Sequence, residues 1–124
     1  MLTIKKINDI AEVQAYLEAE GIAHTIAQEQ FMGIYTDEGL MGIGSICLSG
    51  LKVYMDFLYV SENDFGLLHG LAKSLLNMAD LSGIKTIYGK CKELLDLYKI
   101  LRFKPENDEY VLSLEGYFTA EHGE

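Results

Sequence analysis

The sequence predicts an α/β fold in which a mixed, mostly antiparallel sheet is flanked by helices, with the element order β-α-β-β-β-α-β-α-β. Two observations support this prediction. Between residues 31 and 60, three consecutive segments have the apolar content and turn spacing of strands and are separated only by short polar turns. Later, two segments with apolar residues at helical spacing are each followed by a strand-like segment, which is typical of strand-helix-strand units.

The first elements are a short strand and a helix. Leu2 to Ile7 alternates enough to form the strand. Asp9, followed three residues later by Glu12, resembles a capping box that opens the helix, and Gly21 closes it at the C′ position. Residues 22–30 are compatible with a second short helix or with a loop, and both alternatives stay open.

Residues 31–60 predict a three-stranded antiparallel meander. The predicted strands are Phe31 to Thr36, Leu40 to Leu48 and Leu51 to Val60, with turns at Asp37-Glu38-Gly39 and Ser49-Gly50. Strict alternation places Asp56 on the same face as Leu58 and on the opposite face from Phe57. A charged side chain inside so apolar a strand needs an explanation.

The last part of the chain predicts two helices and two strands. The first helix follows Ser61-Glu62-Asn63-Asp64, which supplies good N-cap residues, and ends near Ser82-Gly83. A strand over Ile84 to Lys90 then implies a right-handed crossover and a parallel strand pair. The second amphipathic helix carries Leu94, Leu95, Tyr98 and Leu101. Pro105 and the polar residues 106–108 separate it from a final strand over Glu109 to Glu115.

Composition and charge limit the function classes. The 124 residues are 49% hydrophobic with one Pro and a net charge of −9, which favours one packed acidic domain over residues 1–118 with a frayed tail over 119–124. Because an acidic surface repels phosphate backbones and anionic lipids, we expect no nucleic-acid and no membrane partner. Neither a signal peptide nor a membrane span is evident, which predicts a cytoplasmic protein.

Two further expectations concern the cysteines and self-association. Cys47 and Cys91 lack metal-ligand spacing, so we expect reduced thiols and no metal. Eight tyrosines and several glycines within strands are compatible with a homodimer.

Two segments carry motifs. The first is Leu67-Leu68-His69-Gly70-Leu71-Ala72 and the second is Leu97-Tyr98-Lys99-Ile100-Leu101-Arg102-Phe103. With these segments and this element order, the chain resembles the GNAT superfamily of acetyl-CoA-dependent N-acetyltransferases over nearly its whole length. The residues that fit the family pattern are Gly70, Ala72, Tyr98, Leu101 and Phe103. Three residues depart from it: Leu67 stands where the family has Arg or Gln, Cys91 where it often has Asn, and Arg102 where it has Gly.

The resemblance implies transfer of an acetyl group from acetyl-CoA to a primary amine, which is a small molecule or a peptidyl group. In the family the first segment binds the CoA pyrophosphate at a helix N-terminus, where free amides and a partial positive charge favour anions, and pantetheine follows the preceding strand. The implied cofactor contacts are Leu58, Val60, Leu67, Leu68, His69, Gly70, Leu71, Ala72 and Cys91. The acidic surface favours a cationic acceptor, such as a polyamine, an aminoglycoside-like amine or a Lys side chain.

The predicted catalytic residues are Tyr98 and Asp56. The resemblance gives Tyr98 the role of general acid, with completion of an apolar helix stripe as the alternative. Asp56 is the predicted base, with a solvent-facing position beside Lys52 as the alternative, and Glu62 is a second possible base. The departures at Leu67, Cys91 and Arg102 favour the other hypothesis, in which the domain has lost turnover and acts as an acyl-CoA-binding or protein-interaction module.

Overall fold

A computed structural model describes residues 1–118, and the expected fraying of Thr119 to Glu124 lies outside the described residues. The strands are β1 (Thr3–Ile7), β2 (Glu29–Thr36), β3 (Gly39–Ser49), β4 (Lys52–Val60), β5 (Thr86–Gly89), β6 (Lys104–Glu106) and β7 (Glu109–Ser113). The helices are α1 (Ile10–Glu20), α2 (Phe65–Leu81) and α3 (Leu95–Ile100), the last preceded by a 3₁₀ turn over Lys92–Leu94.

The strands form one sheet in the order β1-β2-β3-β4-β5-β7-β6. Every neighbouring pair is antiparallel except β4 and β5, which are parallel and joined through α2. The mixed, mostly antiparallel sheet flanked by helices is therefore confirmed. β4 and β5 are paired only at Tyr54 and Tyr88, so the two strands part beyond this point.

The core has two parts, one on each face of the sheet. We define the α1-side cluster as the buried residues Ile7, Val13, Tyr16, Leu17, Phe31 and Ile43. The α2-side cluster contains Ile34, Ile46, Met55, Leu71, Ala72, Leu75, Leu76, Ala79, Ile87, Leu94, Leu97, Tyr98, Leu101, Phe103, Leu112 and Leu114. α1 therefore covers one face, whereas α2 and α3 contribute to the core on the other.

Local capping explains where α1 begins and ends. The Asp9 side chain accepts a hydrogen bond from the Ala11 amide at 3.0 Å, and Gly21 adopts a left-handed conformation with φ 68°. A capping box would pair the Glu12 carboxylate with the backbone N–H of Asp9. Instead, this carboxylate accepts the Tyr35 hydroxyl at 2.7 Å. Residues 22–28 form an irregular segment that leads directly into β2, which supports the loop alternative.

The sequence analysis missed strand β6, and its predicted element order was incomplete at this point. β6 pairs with β7 through a two-residue turn in which Asn107 has φ 50° and Asp108 has φ 67°. Pro105 lies within β6 at the edge of the sheet, where a missing N–H removes no bond to a further strand. A proline followed by polar residues looked like a simple break because the sequence does not reveal an edge position.

A bulge in β4 makes the predicted face of Phe57 wrong. Ser45 pairs with Phe57 but Cys47 pairs with Tyr54, so β4 contains one extra residue between these two pairs. After the bulge, the side chains of β4 therefore point to the faces opposite to those that strict alternation predicts. Phe57 packs against the α1-side cluster, and Leu58 packs against the α2-side cluster.

Candidate functional site

Tyr98 lies in α3 with its ring inside the α2-side cluster and its side chain 0% exposed. The ring rests directly on the backbone of Gly89 at the end of β5, so that a Cβ atom at Gly89 would overlap it. The hydroxyl oxygen is 2.7 Å from Asp56 Oδ1 and 2.8 Å from the Met55 carbonyl oxygen. It also accepts the Cys91 amide at 3.4 Å. Four segments of the chain thus meet at one phenol.

Asp56 joins β4 to the end of β5 at the place where the two strands part. Its side chain comes from the bulged part of β4, and its Oδ1 atom accepts both the Tyr98 hydroxyl and the Lys90 amide, the latter at 2.8 Å. The bulge explains how a charged residue fits into an apolar strand. The structure therefore brings the two predicted catalytic residues, Tyr98 and Asp56, into direct contact.

The surroundings of Tyr98 favour its protonated form. Burial raises the pKa of the Tyr98 phenol above its ordinary value of 10.0, and the hydrogen bond to Asp56 and the charge of that carboxylate raise it further. The phenol consequently stays protonated at neutral pH. It is a hydrogen-bond donor held between a carboxylate and a carbonyl oxygen.

A cavity of about 350 Å³ opens beside Asp56 on the α1 side of the sheet. Its lining includes the carboxylates of Asp56 and Glu29 and the aromatic rings of Phe57 and Tyr54. Lys90 also borders the cavity, and its Nζ atom lies 4.5 Å from the centre of the Tyr54 ring. The cavity lining combines two carboxylates with the single ammonium group of Lys90, so the excess negative charge and the aromatic surface suit an organic cation.

The sequence analysis missed three residues of this cavity: His24, Glu29 and Ser45. Glu29, whose side chain is 2% exposed, accepts the Ser45 hydroxyl at 2.5 Å and the Ala27 amide at 2.9 Å. Both of its carboxylate oxygens lie within 3.1 Å of His24 Nε2. The available signal was a His and a Glu five residues apart in the stretch that could have been a helix or a loop, ahead of an apolar strand.

The predicted pyrophosphate segment is the start of a helix. α2 begins at Phe65, and Asp64 caps it by accepting the Leu67 amide on its side chain at 3.2 Å and the Leu68 amide on its carbonyl oxygen at 3.1 Å. The amides of residues 69–72 lie inside the helix, where each donates to the carbonyl four residues earlier. Most of the amides that the resemblance assigned to a diphosphate thus have partners within the helix.

The side chains of this segment also serve the fold. Leu71 and Ala72 are fully buried, and a Cβ atom on Gly70 would contact Ile4 at 3.7 Å. The remaining apolar residues predicted to contact the cofactor pack against the α2-side cluster: Leu58, Val60, Leu67, Leu68 and Cys91. His69 is partly exposed.

The first turn of α2 does not fit a diphosphate. Residues 61–72 contain no Lys or Arg, and Glu62 and Asp64 border a surface cavity of about 350 Å³ at this end of the helix. Two carboxylates there repel an anion and oppose the favourable helix dipole. Binding of a diphosphate here is therefore disfavoured twice, by the absence of a cation at Leu67 and by the carboxylates nearby.

A larger cavity, of about 740 Å³, lies between the 3₁₀ turn and the β6–β7 hairpin. Lys90, Cys91 and Lys92 border it on one side, and Glu106 and Asp108 on the other. Its charges are mixed, so it has no preference for an anion. Cys91 is placed in this cavity wall, with its amide on the Tyr98 hydroxyl.

Within residues 1–118, no group of three or more His, Cys, Asp and Glu side chains is arranged to hold a metal ion. In the same part of the chain, no helix has the length and apolar character needed to cross a membrane.

Comparisons with known proteins identify the fold. Neither a protein-family model nor a curated protein matches the sequence. Among solved structures, an N-acetyltransferase from Staphylococcus aureus Mu50 is similar with a TM-score of 0.74 and 15% identity, over 93% of this chain and 99% of that one. A GNAT-family acetyltransferase from the same organism is similar with a TM-score of 0.64 and 11% identity, over 92% and 99% of the two chains.

A third similar structure is that of the AtaT-AtaR complex bound to DNA, with a TM-score of 0.64 and 16% identity over 96% of this chain and 99% of that one. These identities are low, but each alignment spans almost the whole of both chains. The resemblance to GNAT proteins that the sequence analysis identified is thereby confirmed at the level of structure. The chain has the fold of the GNAT-family N-acetyltransferases.

Proposed function

We propose that the protein is an N-acetyltransferase that moves an acetyl group from acetyl-CoA to a primary amine carried by a small molecule or a peptide. The observation that supports this proposal is the 2.7 Å contact between Tyr98 and Asp56 where β4 and β5 part. Both side chains were predicted to be catalytic from the sequence, and an acidic cavity opens beside them. The GNAT fold, shared with solved N-acetyltransferases, also supports this chemistry.

The amine end of the reaction fits the residues present. Asp56 offers a carboxylate to an ammonium group, the buried Glu29 adds negative charge behind it, and the rings of Phe57 and Tyr54 line the same cavity. The net charge of −9 draws cations toward the protein from a distance. We therefore propose a cationic acceptor, such as a polyamine, an aminoglycoside-like amine or a Lys side chain.

Tyr98 and Asp56 keep their predicted roles in this proposal. The phenol of Tyr98 is protonated at neutral pH, so its proton is available for transfer, and the raised pKa makes it a weaker acid than an ordinary tyrosine. Asp56 faces the amine cavity and is the predicted base, with Glu62 as the alternative. The hydrogen bond from the Lys90 amide holds the Asp56 carboxylate in place.

The residues predicted to bind the acetyl-CoA donor fit their role less well than those of the amine cavity. Because α2 begins with a capped and acidic turn, we expect acetyl-CoA to bind more weakly than it would at a helix end that carries a cation. Leu58, Val60, Leu67, Leu68, His69, Gly70, Leu71, Ala72 and Cys91 remain predicted contacts of the donor. The structure supplies packing roles for most of them.

The test is a thiol-release assay with acetyl-CoA and a panel of amines, combined with calorimetry. We expect thiol release with at least one cationic amine and none without an amine. If acetyl-CoA binds but no amine supports thiol release, the enzyme proposal fails. If no heat of binding is detected at millimolar acetyl-CoA, every proposal that involves this ligand fails.

A second candidate function is favoured by the α2 N-terminus. The Asp64 cap and the packing of Leu67 and Leu68 against the α2-side cluster leave few groups at this helix end to hold a diphosphate, which favours a protein that has lost turnover. Such a protein would act as an acyl-CoA-binding or protein-interaction module. Binding of acetyl-CoA without turnover across the amine panel is the result that this candidate predicts.

The remaining expectations are part of the proposal. The AtaT-AtaR complex is bound to DNA, which runs against the expectation that this chain has no nucleic-acid partner. The charge of −9 is the reason to keep that expectation. A cytoplasmic location and a homodimer stay predictions, to be tested by localisation of a tagged protein and by its mass in solution.

A further inference from the structure

His24, Glu29 and Asp56 lie in the same cavity but have different hydrogen-bond states. Asp56 Oδ1 is already committed to the Tyr98 hydroxyl and the Lys90 amide. The Glu29 carboxylate is committed to the Ser45 hydroxyl, the Ala27 amide and His24. Among these three side chains, two atoms have no hydrogen-bond partner within residues 1–118: the second carboxylate oxygen of Asp56, Oδ2, and the second ring nitrogen of His24, Nδ1.

The His24 ring is held in one orientation. It is stacked on the Phe57 ring with 4.0 Å between the ring centres and 9° between the planes, and it meets the Phe31 ring edge-on. Its Nε2 atom lies 3.0 Å from Glu29 Oε2, on a carboxylate that is almost completely buried. A carboxylate in this position fixes the Nε2–H tautomer, which leaves a lone pair on Nδ1.

We propose that this cavity is the amine site and that His24 is its base. A primary ammonium group binds to Asp56, and one N–H bond of the ammonium breaks as a bond forms between that proton and His24 Nδ1. The products are a neutral amine and an imidazolium paired with Glu29, and the imidazolium later releases its proton to solvent. Asp56 thus binds the ammonium group and His24 accepts its proton, whereas the role of base was first assigned to Asp56. This inference rests on the proposed function.

In this arrangement His24 is a catalytic residue and Glu29 is a positioning residue. Glu29 does not reach the amine, because the chain's own donors occupy both of its oxygens. Its role is to set the tautomer and to balance the charge of the imidazolium. Ser45, which is 1% exposed and donates to Glu29, holds that carboxylate at the foot of the cavity.

The first experiment measures kcat and KM of His24→Ala with an amine that the native protein acetylates. We expect kcat to fall by about 100-fold, in line with the loss of a general base, while KM changes little because Asp56 still binds the ammonium. Added imidazole should restore part of kcat, since the deleted ring leaves space on Phe57. A purely structural role of His24 would not give this rescue.

Glu29→Gln keeps the shape of the side chain but removes the charge that fixes the tautomer. We expect kcat to fall about tenfold, with no rescue by imidazole. Tyr35→Phe is the matched control, because it also removes one side-chain hydrogen bond to a carboxylate, that of Glu12, and should retain native kcat. A His24→Ala variant that keeps kcat within about threefold of the native value, or that imidazole does not rescue, would overturn the role of His24.

A binding experiment separates this inference from the proposed function. n-Butylamine is added to the native protein with ¹⁵N-labelled histidine, and the ring nitrogens of His24 are followed by NMR, with Asp56→Asn as the comparison. If the native protein acetylates no amine but His24 Nδ1 still shifts, and the shift is lost in Asp56→Asn, the amine site stands and the proposed function fails. If Nδ1 does not respond to the amine, the site itself is overturned.

Discussion

The cavity beside Asp56 and the first turn of α2 are the two regions where the sequence placed chemistry, and the structure builds them differently. At the cavity, polar groups from β2, β3 and β4 converge, and the free ring nitrogen of His24 faces no partner in the described chain. At α2, Asp64 satisfies the helix end and the neighbouring leucines join the core.

The difference teaches that a motif residue can keep its place in the fold without keeping its chemical surroundings. Tyr98 keeps both its place and its chemical surroundings, because its ring packs on the Gly89 backbone and its hydroxyl donates a hydrogen bond to Asp56. Gly70 keeps its place in the fold but not the expected surroundings, because it lies inside α2 and packs near Ile4. Substitutions at these positions should therefore have opposite consequences.

The largest effect is expected for Gly89→Ala. A methyl group at this position would overlap the Tyr98 ring, which lies fully buried and cannot move away without opening the core. We expect the free energy of unfolding, measured in urea, to fall by about 3 kcal/mol. Turnover should fall as well, because the Tyr98 hydroxyl would leave Asp56. A loss below about 0.5 kcal/mol would show that the ring is loosely packed.

Tyr98→Phe tests the hydroxyl without changing the ring. Its removal leaves the Cys91 amide and the Met55 carbonyl without this partner, which should cost about 1–3 kcal/mol of unfolding free energy. If Tyr98 is the general acid, turnover should fall at least about tenfold with little change in acetyl-CoA affinity. Tyr117→Phe, which loses one hydrogen bond to the Leu101 carbonyl, is the control and should keep native turnover. Equal rates in both variants would leave Tyr98 a packing residue.

The fold could be predicted from the sequence where the signals are local. Asp9, Gly21 and Asp64 cap or end helices through contacts with residues that are close in the chain. Asp9 and Gly21 were predicted individually, and Asp64 was one of four candidate N-cap residues in the segment 61–64. β6 could not be predicted, because Pro105 is acceptable only at a sheet edge. The bulge in β4 was also hidden, since it exists only in the register with β3.

The candidate site could be predicted only in part. Tyr98 and Asp56 were found because one belongs to a motif and the other is a charge inside an apolar strand. His24, Glu29 and Ser45 were missed because they lie in or beside a segment without periodicity and meet only after β2 and β3 pair. The charge excess indicated a cationic acceptor but could not locate it.

Alkaline pH offers a further test of the Tyr98 region. The folded protein raises the pKa of Tyr98 above 10.0, chiefly through burial, so this phenol contributes stability that is fully present below pH 10 and is lost as pH rises through the folded pKa. Burial, followed by the bond to Glu12, also raises the pKa of Tyr35 to about 12. We expect cooperative alkaline unfolding, seen as a joint rise of tyrosinate absorbance and loss of circular dichroism. Tyr98→Phe should weaken the dependence of stability on pH in this range; an unchanged dependence would exclude Tyr98 as its source.

A smaller effect is expected at the cap of α2. Asp64→Ala removes the acceptor of the Leu67 amide and should cost about 1 kcal/mol of unfolding free energy, as Asp9→Ala should at the start of α1. Asp64→Asn keeps an acceptor and should cost only a few tenths of a kcal/mol. If acetyl-CoA binds much more tightly to Asp64→Asn than to the native protein, the diphosphate does lie at α2 and the Asp64 charge is what weakens it.

The smallest effect, and the one of opposite sign, is expected for Gly70→Ala. Gly70 lies within α2, and its added Cβ would meet Ile4 at 3.7 Å, an ordinary van der Waals distance. Alanine in a helix interior is favoured over glycine by about 0.5–1 kcal/mol, so we expect the unfolding free energy to rise by that amount. A diphosphate bound against this backbone would be hindered by the new methyl group. A stable Gly70→Ala variant with unchanged acetyl-CoA affinity would therefore show that the small residue is a packing feature of α2, whereas a clear loss of affinity would return it to the donor site.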